Sequence, residues 1–149
     1  MKKLVSWNVN GLRAIARKGF LDVMAEIDPD IMCLQEIKAE KDQLPKNIQN
    51  IENYHSFFNP SRTKKGYSGT AIYTKEEPIS VQNGLGDEIY DCEGRIQLVE
   101  FNDFTLYNIY YPNGQSGQER IDYKLNFYNY FLSAFISVIS VLFPIIKII

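Results

Sequence analysis

The chain has 149 residues, 45% of them hydrophobic, 13% aromatic and 23% charged. This is the length of one domain with enough apolar material for a core, and it excludes a disordered tail, a collagen-like chain and a disulfide scaffold. A net charge of −2 offers nucleic acid no global basic field, so any phosphate-binding surface has to be a local cluster.

The opening Met1-Lys2-Lys3-Leu4-Val5-Ser6-Trp7-Asn8 reaches a polar residue pair too soon for a secretory signal. Residues 4–7 form a short apolar run predicted to be a buried strand that enters a turn at Asn8. Asn10-Gly11 then caps a predicted helix with Leu12, Ile15, Ala16, Phe20, Val23, Met24 and Ile27 at three- and four-residue spacing. Gly19 weakens the middle of that helix, and Asp28-Pro29-Asp30 ends it. Residues 31–34 suit a strand buried on both faces, which completes a βαβ-like unit. Further strands are predicted over 54–58, 70–74, 79–82, 95–101 and 105–111, separated by turn chemistry at Asn59-Pro60, Lys65-Gly66, Glu77-Pro78 and Asn102-Asp103. Tyr111-Pro112-Asn113-Gly114 forces a loop, after which Ile121, Leu125, Tyr128 and Leu132 mark one stripe of a helix. Strands with helices outside them define an α/β layered fold.

Cys33 and Cys92 fit a reduced compartment, the cytoplasm or a eukaryotic nucleus, and neither has a partner at metal-ligand spacing. His55, the sole histidine, is expected to be structural.

Three polar groups stand at the ends of apolar strands: Asn8 with Asn10, Gln35-Glu36, and Asn108 through Asn113. Adjacent strands ending on one side would gather them into a cleft. A lone carboxylate among amides and a phenol suits a hard divalent cation that keeps several waters. Plainer readings stand beside this one: a solvated carboxylate at Glu36, an Asx turn and helix cap at Asn8 and Asn10, and a core aromatic at Tyr110. Arg62, Lys64 and Lys65, just before Gly66-Tyr67, form the one dense basic cluster, suited either to phosphate contact or to a solvated loop.

Five segments occur in order: Ser6-Trp7-Asn8-Val9-Asn10-Gly11-Leu12-Arg13, Cys33-Leu34-Gln35-Glu36-Ile37-Lys38, Gly66-Tyr67-Ser68-Gly69, Glu93-Gly94-Arg95 and Tyr110-Tyr111-Pro112-Asn113. Together they resemble the N-terminal half of the exonuclease III family of apurinic/apyrimidinic endonucleases, within the endonuclease/exonuclease/phosphatase superfamily. The resemblance implies an Mg²⁺-dependent DNA-repair hydrolase, with Mn²⁺ as a substitute, acting at abasic sites and 3′ ends. It implies metal-site roles for Glu36, Asn8 and Asn10, with Lys38 close by. It places Tyr110 and Asn113 at the scissile phosphate and substrate, and Arg13, Lys38, Arg62, Lys64, Lys65, Gly66, Tyr67 and Arg95 on the DNA-facing side. Rival readings are a superfamily phosphodiesterase or phosphatase acting on a lipid or sugar phosphate, and a non-catalytic membrane-associated remnant.

The family's Gly-Asp-Leu-Asn and Ser-Asp-His motifs, which supply the water-orienting aspartate and the phosphate-contacting histidine, do not occur in the 149 residues. The fold class expected is therefore α/β, half of a four-layer α/β sandwich: one mixed sheet with flanking helices, its inner face lacking a partner. Exposing on the order of 1,000 Å² of apolar surface would forfeit roughly 25 kcal/mol. A complementary second half is the expected protein partner, and catalysis by this chain alone is not expected. The composition also shifts late: 14 of the last 19 residues are apolar and no acid follows Asp122. The expected division is residues 1–132 as the half-domain and 133–149 as an apolar tail. Truncation or frame shift of a longer gene, a membrane anchor opposed by Pro144 and Lys147, and a segment folding back over the sheet are its three readings.

Overall fold

The structure, a computed structural model, describes residues 2–115 and 117–142, with side chains described to 136 apart from those of residues 1 and 116. The part of the expected 133–149 tail beyond Leu142 therefore lies outside the described residues. The chain divides into two compact units, Met1–Tyr110 and Tyr111–Ile149.

In the first unit, β1 (Leu4–Asn8), β2 (Ile31–Gln35), β3 (His55–Asn59) and β4 (Thr70–Thr74) form one sheet in the order β1-β2-β4-β3. β1 and β2 run parallel with Asn8 opposite Gln35, while β4 is antiparallel to both β2 and β3. All five residues of β2 and of β4 are buried, as expected of central strands rich in Ile, Leu, Thr and Tyr. Their alternate side chains feed two cores. Met32, Leu34, Ala71 and Tyr73 pack with Leu12, Phe20 and Met24 of the helices, and Ile31, Cys33 and Ile72 point the other way.

The expected single helix over 12–27 is two: α1 (Leu12–Ala16) and α2 (Phe20–Ile27). The break is at Gly19, whose φ of 99° is left-handed and cannot continue a right-handed helix. Gly11 rather than Asn10 occupies the N-cap of α1. A 3₁₀ turn over Lys41–Gln43 and two short helices, α3 (Lys46–Gln49) and α4 (Glu88–Asp91), fill connections in which no helix is predicted.

The α/β class with mixed strands and flanking helices is as expected, but the strands form two sheets rather than one. β5 (Ser80–Asn83), β6 (Ile96–Glu100) and β7 (Thr105–Ile109) make an antiparallel meander of their own. It lies over the inner face of the first sheet, with β6 and β7 across β4 and β7 also across β2. Val99, Phe101, Val81, Phe104 and Leu106 pack onto Ile31, Cys33 and Ile72. The exposed inner face expected from half a sandwich is thus covered from within the first unit. Each fully buried Ile or Val there is worth about 1.5–3 kcal/mol relative to exposure.

The second unit contains the 111–114 loop and α5 (Gln118–Leu142). The Tyr111 ring meets Phe127 edge-on at 6.0 Å, lies 5.1 Å from Tyr128 and is edge-on to Phe131 at 6.2 Å. Among the described side chains of α5 Phe127 is the buried one, while Ile121, Leu125 and Leu132 of the expected stripe are 39%, 54% and 51% exposed. Among the described residues, no helix is long and apolar enough to cross a membrane.

Candidate active site

Because β1 and β2 are parallel and in register at their carboxyl ends, the loops that follow them leave side by side. Backbone N–H groups of Val9, Gly11 and Leu12 donate to the carbonyls of Gln35, Glu36 and Ile37. The N–H groups of Ile37 and Lys38 donate in turn to the carbonyls of Gly69 and Ser68. Three of the five sequence segments are therefore laced together by main-chain bonds. Asn10, Glu36, Lys38 and Ser68 all adopt left-handed φ, 45°, 60°, 49° and 48° respectively. Such backbone costs of order 1–3 kcal/mol per residue and persists where the surroundings impose it.

Glu36 is the hub. Its Oε1 lies 2.9 Å from Lys38 Nζ, which also donates to Asn10 Oδ1 at 2.5 Å. Asn8 and Tyr110 stand beside the same carboxylate and favour its ionised form. Burial pushes the Glu36 carboxyl up, but Lys38, Asn8 and Tyr110 together outweigh it and hold the group below the usual carboxylate range. The Tyr110 phenol is pushed up, first by burial and then by the Glu36 charge, with Arg95 opposing.

Asn8 Oδ1 accepts the Asn10 N–H at 3.1 Å, forming the expected Asx turn. With its oxygen so engaged, Asn8 orients the carboxylate, and Glu36 and Asn10 supply the oxygens that converge on one point. The Lys38 ammonium held by both marks that point as a cation position. A carboxylate and an amide oxygen there suit a hard divalent ion. Among the described residues no group of three or more His, Cys, Asp or Glu gathers here or elsewhere, so an ion held by Glu36 and Asn10 would keep mostly water or substrate oxygens.

Beneath this cluster the two sheets are joined by buried amides. Asn108 Nδ2 donates to the carbonyls of Leu34 and Ala71 at 3.2 and 3.0 Å, and its Oδ1 accepts from Gln35 Nε2 at 2.8 Å. Asn59 Nδ2 donates to the Ile96 carbonyl at 2.9 Å, and the Thr70 hydroxyl to that of Gly94 at 3.1 Å. Gly94 has φ of 67°, and a Cβ there would stand 2.4 Å from the Asn59 carbonyl oxygen. This close approach carries the turn that presents Arg95.

Arg95 departs from its expected place on the DNA-facing side. It is 2% exposed, and its guanidinium is engaged by Glu93 at 2.5 Å, the Tyr110 carbonyl at 3.0 Å and the Tyr67 hydroxyl at 3.0 Å. A cation this enclosed cannot reach a phosphate without vacating its cage. Gly66, Lys64 and Lys65 are exposed, as is Arg13, whose Nη2 lies 3.9 Å from where a Gly66 Cβ would be. Arg62 is paired with Glu88 at 2.6 Å on the surface. Asn113 is exposed and belongs to the second unit. His55 is exposed at the start of β3. Gln35 and Asn108 belong to the polar strand ends singled out in the sequence, whereas the amides of Asn59 and Gln97 are the part of this layer that sequence reasoning missed. Their signal was polar residues at inward positions of apolar strands.

The Endonuclease/Exonuclease/phosphatase family matches residues 5–136. An exodeoxyribonuclease from Bacillus subtilis (strain 168) is 47% identical over 132 residues, covering 88% of this chain and 51% of the relative. The DNA repair nuclease APEX1 of Danio rerio is 46% identical over 123 residues, covering 82% of this chain and 40% of the relative. Among solved structures, the catalytic domain of Xenopus laevis APE2 superposes with a TM-score of 0.73 at 33% identity, over 87% of this chain and 51% of that one. The fold is also that of a Neisseria 3′ phosphatase, NExo, bound to a product DNA hairpin, with a TM-score of 0.81 at 24% identity over 94% of this chain and 53% of that one. The chain spans about half the length of these relatives and corresponds to their N-terminal part.

Proposed function

The chain belongs to the endonuclease/exonuclease/phosphatase family, on the exodeoxyribonuclease and apurinic/apyrimidinic endonuclease branch, and from that footing we propose that it forms the metal-holding part of a site hydrolysing DNA phosphodiesters at abasic sites and 3′ ends. The family is one of divalent-metal-dependent nucleases. Mg²⁺ is the ion that Glu36 and Asn10 would hold here, with Mn²⁺ as a substitute. The supporting observation is the cation position at which Lys38 Nζ lies 2.9 Å from Glu36 Oε1 and 2.5 Å from Asn10 Oδ1, just past the ends of two parallel strands.

When bound, the ion would polarise a phosphoryl oxygen and stabilise charge on the leaving oxygen. The chain's own groups do the rest of the positioning. Asn8 fixes the carboxylate, Tyr110 offers a phenol to the phosphate, and the exposed Arg13, Lys64 and Lys65 draw in the DNA backbone. Water activation is assigned to an aspartate outside the 149 residues, in a second segment, joined or separate, that carries the Gly-Asp-Leu-Asn and Ser-Asp-His motifs. General-base assistance is worth about 10²–10⁴-fold and one lost transition-state donor about 10²–10³-fold. Their combined absence costs at least roughly 5 kcal/mol of barrier.

Mn²⁺ titration followed by paramagnetic broadening of amide signals tests the reading. Broadening is expected around Glu36 and Asn10 in the wild type and is expected to be lost in Glu36→Gln. Equal broadening in both would overturn the metal assignment. Abasic-site cleavage by the 149-residue chain alone should stay at background with saturating Mg²⁺. Robust turnover abolished by Glu36→Ala would show that water activation resides within this chain.

A further inference from the structure

We propose that Arg95 is a positioning residue whose buried guanidinium clamps the Tyr110 ring and the Tyr67 phenol in place, acting on substrate only through them. The inference rests on the site reading above and assigns that site a support it has not been given.

The guanidinium centre lies 4.7 Å from the Tyr110 ring centroid and 5.8 Å from that of Tyr67, over both rings. Its hydrogen bonds reinforce the stacking. Nη1 donates to the Tyr110 carbonyl and Nη2 to the Tyr67 hydroxyl, both at 3.0 Å, while Nε donates to Glu93. Backbone bonding continues the clamp, since the Tyr110 N–H donates to the Arg95 carbonyl. One side chain thus grips the main chain and the ring of Tyr110. It also grips the hydroxyl of a residue in the 66–69 loop. A planar five-donor fork with a polarisable face can satisfy these partners together, and an ammonium cannot. At 2% exposure, Arg95 has no open face for a phosphate. Its charge is balanced locally by Glu93, which is itself largely buried.

A direct phosphate contact and a clamp differ in their response to salt. Each cation that touches a phosphate contributes about one unit to the slope of log affinity against log salt, and a positioning residue contributes none. Affinity for an oligonucleotide bearing a stable abasic analogue, measured by fluorescence anisotropy across salt concentrations, reads this. Arg95→Met is expected to lower affinity with the slope unchanged, and Lys64→Ala to lower the slope. Because Arg95→Met removes the cation beside the Glu93 carboxylate, the paired variant Arg95→Met/Glu93→Gln is measured beside it and should behave alike. Arg95→Lys should fail to restore affinity. A slope reduced by about one in the Arg95 variants, or full recovery with lysine, would overturn the clamp.

The Arg95 Nε–H signal in NMR gives a readout independent of DNA. Ring-current shift of that signal should be kept in Tyr110→Phe and lost in Tyr110→Leu. An unmoved signal in Tyr110→Leu would sink the clamp whatever the DNA result. Wild-type protein that binds no oligonucleotide while showing the expected Arg95 shifts would count against the nuclease reading and leave the clamp standing.

Discussion

Lys38 Nζ stands 2.9 Å from Glu36 Oε1 and 2.5 Å from Asn10 Oδ1, so a divalent cation arriving between those oxygens meets an ammonium already in place. Replacing Lys38 by Met removes that competitor. Mn²⁺ affinity is expected to rise about 3- to 10-fold, the scale of a partly screened charge interaction of about 1 kcal/mol, checked by the same broadening titration. Glu36 also gives the protein a pH signature. Its folded-state value lies below the usual 4.5, so its stabilising interactions are fully present above about pH 4.5 and are lost as pH falls through the depressed value. Urea unfolding should show wild type and Glu36→Gln converging in stability as pH drops through that window. Gly94 tests the backbone itself. Alanine there would put Cβ 2.4 Å from a carbonyl oxygen at a left-handed φ, with no flexible side chain to yield. Gly94→Ala should cost at least about 1–3 kcal/mol from the backbone conformation alone, read as a lower denaturation midpoint.

At the scale of elements, the strands were legible because short apolar runs between turn dipeptides leave few alternatives. Residues 70–74 came out with the expected bounds, and other strands shifted by a residue or two. Their division into two sheets was not legible. The alternation of Val81, Val99 and Leu106 is the same whether β5 to β7 extend an existing sheet or start another, and only contact with Ile31 and Ile72 across the layers decides. Arg95 shows the same limit in the site. An arginine opening a strand resembles a surface cation until Glu93, Tyr67 and Tyr110 are seen around it. The meeting of Glu36 with Asn10 through Lys38, by contrast, was legible because both loops follow apolar strands that end side by side. The buried amide Asn108 holds the sheets together near them. Asn108→Ala would remove one acceptor of the Gln35 amide and a donor to the carbonyls of Leu34 and Ala71, so a loss of about 1–3 kcal/mol in unfolding free energy is expected.

For the molecule as a whole, the two free cysteines report on how the layers close. Cys33 lies in the inter-sheet core, where burial pushes its thiol up to about 12. Cys92 is only partly buried. Native protein should therefore give one thiol readily to an alkylating reagent and two in denaturant, counted by mass. Because the unfolded thiol ionises near about 8.5, the stability that Cys33 confers is complete below that pH. It is lost progressively as pH rises towards about 12, and Cys33→Ser should flatten that decline.

The space between the sheets is not uniform. At one end Ile31, Ile72, Val99 and Phe101 meet as hydrocarbon, and at the other Gln35, Asn59 and Asn108 meet as hydrogen-bonded amides beneath Glu36. These two kinds of adhesion answer differently to temperature. Hydrocarbon contact weakens on cooling, while paired amides do not share that loss. Chilling should therefore slacken the sandwich from the end remote from the carboxylate, like a clothes-peg whose jaws stay shut while its handles loosen. The geometry around Glu36 would then be insulated from the part of the molecule most sensitive to cold.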